Sequence, residues 1–304
     1  MEATIAERAN ALPTTHPQFR NILVGTNFSA SSLKGLRVAI ACAQKLSAAL
    51  HIAHVVTPLS HAAGGGSPLA PPEGAVTRAR EALREWVDRP LLTGVKHTET
   101  VLTGPLISEL QRYVHDQRID LVVVDGGTQE QEFMGSAAEN IVQNLACPVA
   151  IAGPQAKPML ACRSILLATS LACPTSLRAA KYAVGLAEAL DAHLTLMHIE
   201  APGDHRRIDK AVRDSINRQL HNLLPPVCDC WCRPKVRFVV GDPASQILLS
   251  ADKENADLIV MSALDADSIL GEQSSASVLA KVVRGAKCPV MAVRTQPAVS
   301  AHFG

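Results

Sequence analysis

Short runs that are apolar at every position alternate along this chain with stretches whose apolar residues recur every three or four positions. Ile22 to Gly25, Leu121 to Val124 and Val149 to Ala152 are runs of the first kind. With no polar side, each reads as a strand covered on both faces. After Ile22 to Gly25 comes a polar patch, Ser29 to Ser32, which offers helix N-caps. Leu33, Leu36, Ile40, Ala43, Leu46 and Leu50 then predict one apolar stripe of a helix. Val101-Leu102 ends a further strand, and Gly104-Pro105 turns into a helix carrying Ile107, Leu110 and Val114. Ala138, Ile141, Val142 and Leu145 form a last stripe before Val149.

The second half repeats the first. Ile22-Leu23-Val24-Gly25-Thr26-Asn27 returns as Ile165-Leu166-Leu167-Ala168-Thr169-Ser170, and His51 to Val55 returns as Thr195 to Ile199. Gly104 precedes Ile119-Asp120-Leu121 at the spacing at which Gly241 precedes Ala256-Asp257-Leu258, and Cys147-Pro148-Val149 recurs as Cys288-Pro289-Val290. Four pairs in one order indicate duplication. Helical stripes recur at Leu177, Ala180, Val184, Ala187 and Leu190, and at Val278, Leu279, Val282 and Val283. Strand Val236 to Val240 lies between them. Buried strands separated by amphipathic helices predict an α/β chain with a doubly wound parallel sheet in each unit, read as two separate, equivalent modules. Ligands of such sheets sit beyond the carboxyl ends of the strands, here after Val24, Val55 and Val124. Ala62 to Gly74, rich in Gly and Pro, reads as a loop, and Gly153 to Ala161 as the linker between units. The ends, before about Phe19 and after about Thr295, carry no periodicity.

The length of 304 residues suits two domains. Lys and Arg number 29 against 28 Asp and Glu, so a net charge of +1 gives no electrostatic case for nucleic acid or an anionic membrane. With 47% hydrophobic and only 3% aromatic residues, the core must be built from Ala, Leu, Val and Ile. No apolar run reaches the roughly 18 residues of a membrane span. The acidic start, Met1 to Glu7, lacks the centre of a signal peptide, and eight cysteines are too sparse for a disulfide scaffold. The cytoplasm is the expected compartment.

Ile22 to Ser29, His54-Val55, Gly241-Asp242-Pro243-Ala244, Ala256 to Met261 and Lys287-Cys288-Pro289-Val290 together resemble, in order and spacing, the universal stress protein family. The resemblance covers residues 19–153 and 162–295, a tandem of two family domains. It implies a Rossmann-like five-stranded sheet in each domain. It also implies pairing of domains through their last strands, here Val149 to Ala152 and Val290 to Val293, within one chain or in a homodimer.

Many members of that family bind ATP through an Asp after the first strand and a loop of pattern Gly-x2-Gly-x9-Gly-Ser/Thr after the fourth. Glycines let backbone N–H groups approach phosphates at a helix N-terminus. In the first half Gly126 matches the first glycine, and Gly135-Ser136 the final pair. Gln129 replaces the middle glycine, Asn27 the Asp, and residues 127 to 134 number eight where the family spacing has twelve. Glu130 and Glu132 add charge that opposes a triphosphate. In the second half Ser170, Ser262, Asp265 and Ala276-Ser277 stand at these positions, with Asp267 beside them. The resemblance thus leaves Asn27, backbone groups at Val55, Gly126, Gly135 and Ser136 as the set that ATP with Mg2+ would use; the plainer reading makes the glycines and Ser136 turn and cap residues.

Cys228, Cys230 and Cys232, with His221 as a loose fourth, offer soft ligands for zinc or copper, or merely occupy a loop. His54 and His198 stand at equivalent strand ends, where a lone histidine is more often structural. No Gly-x-Ser-x-Gly elbow or Walker loop is present. The resulting expectation is a non-enzymatic stress-response protein acting through domain pairing and an unidentified protein partner. The alternatives are an adenine-nucleotide binder using the first half, and a thiol or metal module at the Cys228 cluster.

Overall fold

A computed structural model describes residues 18–58, 71–87, 89–128, 136–157, 161–171, 175–200, 210–224, 234–262 and 275–294. In the first half the elements are β1 (Asn21–Gly25), α1 (Ser32–Leu46), β2 (Ala49–Val56), α2 (Ala75–Trp86), a 3-10 turn (Arg89–Leu92), β3 (His97–Thr103), α3 (Leu106–Asp116), β4 (Leu121–Asp125), α4 (Ser136–Asn144) and β5 (Val149–Ala152). The second half follows with β6 (Ser164–Ala168), α5 (Ser176–Leu190), β7 (His193–Glu200), α6 (Lys210–Asn222), β8 (Lys235–Val240), α7 (Pro243–Lys253), β9 (Leu258–Ser262), α8 (Ser275–Gly285) and β10 (Val290–Val293).

Within each half the five strands run parallel in the order 3-2-1-4-5, the doubly wound α/β arrangement. The halves are not separate modules, however. All ten strands form one sheet, fused by the antiparallel pair β5 and β10 with Ile151 opposite Val290, Ala150 opposite Met291 and Val149 opposite Ala292. These last strands are apolar throughout and wholly buried, so an unpaired edge there would expose both side chains and backbone groups. Among the described residues no helix is long and apolar enough to cross a membrane.

Side chains alternate across the sheet into two cores. Ile22 and Val24 point to one face, packed by α1, α2 and α5; Leu23 points to the other, packed by α3, α4, α7 and α8. Each core contains residues of both halves, so the apolar layers continue across the fusion. The duplication extends to polar detail. Asp120 Oδ2 accepts the N–H groups of Arg20 and Asn21, and Asp257 Oδ2 those of Arg163 and Ser164. Gly104 and Gly241 turn at φ 145° and 152°, where only glycine is unstrained.

Two predicted stripes are corrected. Leu50 is not on α1: Ser47 turns left-handed at φ 53°, ends the helix, and leaves Leu50 buried in β2. Leu177 is half exposed, because the buried face of α5 extends back from Ala180 and Ala187 to Ser176. The segment read as a linker is partly docked: Lys157 N–H donates to the Lys287 carbonyl at 2.9 Å. The predicted loop at 62–74 lies outside the described residues up to position 70, and the aperiodic ends lie outside them beyond 18 and 294.

Candidate functional site

A cavity of about 570 Å³ opens over the carboxyl ends of β1, β2 and β4, where strand order reverses. That volume falls in the range of small-molecule sites. Its floor is Gly25, Ala53 and Val124, its walls Leu106 and Leu110 of α3 and Ala138 and Ile141 of α4, its polar rim Asn27, Ser29, Ser31, Thr57 and Thr128. Among its described lining residues the one carboxylate is Asp125, and no Lys or Arg is present.

The turn after β1 is tied to itself. Asn27 Oδ1 accepts the Ser29 N–H at 3.1 Å, and Thr26 Oγ1 accepts the Phe28 N–H at 2.9 Å. These bonds hold Phe28 left-handed at φ 63° and set its ring against His54, centroids 4.2 Å apart. The His54 Nδ1 lies 2.8 Å from the Thr26 carbonyl, which can only accept, so Nδ1 carries the proton. His198 makes the same bond to Thr169 at 3.1 Å. Both histidines therefore clamp the end of a second strand to the turn after a first, which gives their recurrence a structural cause.

Below that turn, Ser32, fully buried at the start of α1, lies 2.6 Å from Asn27 Oδ1 and 2.9 Å from Asp125 Oδ2. Its single proton serves one acceptor at a time. Asp125 Oδ1 in turn accepts the Gly127 N–H at 3.1 Å. Sequence reasoning ended the strand at Val124 and missed Asp125; the signal available was a carboxylate directly before two glycines.

Of the residues predicted to bind nucleotide, Asn27 and Val55 line the cavity. Gly126 does not. A Cβ there would stand 2.9 Å from Val283 Cγ1 and 3.1 Å from Ile151 Cγ2, so its missing side chain admits the second half. Strand registers put Asp125, not Gly126, level with Ser262, since Leu121 sits beside Ile22 as Leu258 sits beside Ile165. Ser136 opens α4, while Gly135 lies outside the described residues, as do Glu130, Glu132, Asp265 and Asp267. Cys228, Cys230 and Cys232 also lie outside them, and His221 is exposed near the end of α6. Among the described residues no group of three or more His, Cys, Asp or Glu could hold a metal ion.

Fold and site together define a duplicated, doubly wound α/β protein with a cavity at its topological switch point. The profile of the Universal stress protein family matches residues 18–153 and again residues 162–294, and the chain belongs to that family. A universal stress protein of Methanocaldococcus jannaschii is 27% identical over 128 residues, 39% of this chain and 75% of that protein. The crystal structure of a universal stress protein from Archaeoglobus fulgidus superposes with TM-score 0.68 at 18% identity, covering 92% of this chain and 98% of the other. One from Pseudomonas aeruginosa gives 0.58 at 14%, covering 92% and 94%.

Proposed function

We propose that this chain is a non-enzymatic stress-response protein of the cytoplasm that acts through its paired domains and a protein partner. The observation that carries the reading is the β5–β10 pair. It joins within one chain the strands through which separate family domains would associate, and it leaves neither free for a homodimer. The first-domain cavity adds support: among its described lining residues the charged one is a carboxylate, the wrong sign for stabilising a transferring phosphoryl group.

A second reading, adenine-nucleotide binding with Mg2+ in the first domain alone, is favoured by the size and place of that cavity. Light scattering and thermal unfolding separate the two. The first reading expects a mass of one 32.2 kDa chain, no phosphate release, and no shift of the unfolding midpoint at millimolar Mg-ATP. A ligand at a hundred times its dissociation constant would add about 2.7 kcal/mol of stability. A clear upward shift therefore selects the second reading, and a two-chain mass removes the first.

A further inference from the structure

Asp125 occupies the place in its own loop that an anionic ligand would need. One carboxylate oxygen takes the Gly127 N–H, 3.1 Å away, and the other lies 2.9 Å from the Ser32 hydroxyl at the first residue of α1, a hydroxyl it shares with Asn27 Oδ1 at 2.6 Å. A backbone N–H exposed in a strand-end loop is what a phosphate seeks, and here that of Gly127 already serves a covalently attached anion. The second domain shows the same frame without the carboxylate. Ser262 stands level with Asp125, and Ser176, first residue of α5 as Ser32 is of α1, turns to the Ser170 carbonyl instead. No lining cation among the described residues offsets the Asp125 charge.

We propose that Asp125 is a specificity-determining residue: its carboxylate stands in for a ligand phosphate, so the first-domain cavity takes an uncharged, hydrogen-bonding molecule of nucleoside size and refuses its phosphorylated forms. Leu106, Leu110, Ala138 and Ile141 supply an apolar wall for a flat ring, and Thr57, Thr128 and Ser29 the rim for hydroxyls. The inference rests on this cavity being a ligand site, as in the second reading above, and replaces that reading's triphosphate with a neutral ligand.

The test is calorimetric titration of the full chain with adenosine, AMP and Mg-ATP, for the natural protein, Asp125→Asn and Asp125→Ala. Asp125→Asn retains an acceptor for Gly127 without the charge, and guards against a misfolded alanine variant. The natural protein is expected to bind adenosine at least tenfold more tightly than AMP or ATP. Both variants should narrow that ratio at least tenfold, with adenosine affinity changed less than threefold. An unchanged ratio in folded variants overturns the role of Asp125, as does equal affinity of the natural protein for adenosine and ATP. If no protein binds any of the three, the cavity is not a nucleoside site, and the reading beneath the proposal falls with it.

Discussion

Arg178, in the first turn of α5, donates from Nη2 to the Ala146 carbonyl at 2.8 Å, so a side chain of the second domain holds the backbone just past α4 of the first. The same guanidinium donates to the Arg294 carbonyl and lies over the Tyr182 ring, while Arg294 Nη1 reaches the Val142 carbonyl at 3.3 Å. Carbonyls at a helix end have no partner within the helix, and here the other domain supplies one. Because α4 also walls the cavity, the interface and the candidate site share an element.

Arg178→Ala should therefore destabilise the chain by about 2 kcal/mol, the loss of charge-assisted bonds to part-buried carbonyls. Urea unfolding measures it, and amide exchange should quicken first in the last turn of α4. Arg178→Lys should recover less than half, since an ammonium cannot span both carbonyls and the ring. A variant as stable as the natural protein would show that the contact contributes nothing.

At Gly153 the backbone of the first domain lies close against that of the second. A Cβ at that position would stand 2.0 Å from the Val283 carbonyl oxygen, a backbone atom that cannot rotate aside. Gly153→Ala should cost at least about 3 kcal/mol and lower the thermal midpoint sharply. Gly25→Ala is the control: its nearest neighbour would be 3.9 Å away, and the equivalent strand position in the second domain is already Ala168. Its midpoint should stay within a degree or two of the natural protein.

The strands were legible because runs such as Leu121 to Val124, apolar at each position, have few stable environments other than a sheet covered on both faces. Helices α2 and α6 were not, because α2 buries only Ala79 and Leu83 and α6 only Leu220, too few for a stripe. The place of the cavity follows from the strand-end rule, and Asn27 and Val55 were named through the family resemblance, but the contact of Ser32 with Asp125 joins residues 93 positions apart, and no local pattern encodes it. The contact of Gly126 with Val283 is hidden for the same reason, since Val283 belongs to the other domain.

His51, nearly buried in β2 with Nδ1 3.0 Å from the Tyr113 hydroxyl, should make stability depend on pH. Burial, and then the positive charge of Lys96, hold its pKa below the usual imidazole value. The folded state thus favours neutral imidazole, while the unfolded chain protonates near pH 6.5. The stabilisation is complete above that pH and is lost as pH falls below it, with a slope of at most about 1.4 kcal/mol per unit. Urea midpoints at pH 7.5 and pH 5.5 should differ more for the natural protein than for His51→Gln. Equal differences would remove His51 as the cause.

The described cysteines are shielded from thiol reagents by burial. Burial pushes the thiols of Cys42, Cys147 and Cys288 up to about 12, and pushes Cys162 up as well. Cys42 and Cys147 keep some exposed surface, but their sulfur atoms are desolvated, and it is the thiolate that reacts. At pH 8 a thiol of pKa 12 is ionised only to about one part in ten thousand, so alkylation should run roughly a thousandfold slower than for a free cysteine. Iodoacetamide at pH 8, read by peptide mass mapping, should leave these four unmodified in the native protein. In urea all eight cysteines should react. Rapid native labelling of Cys162 or Cys288, which pack in the cores on opposite faces of the sheet, would mean that the core around the labelled residue opens far more readily than its burial allows.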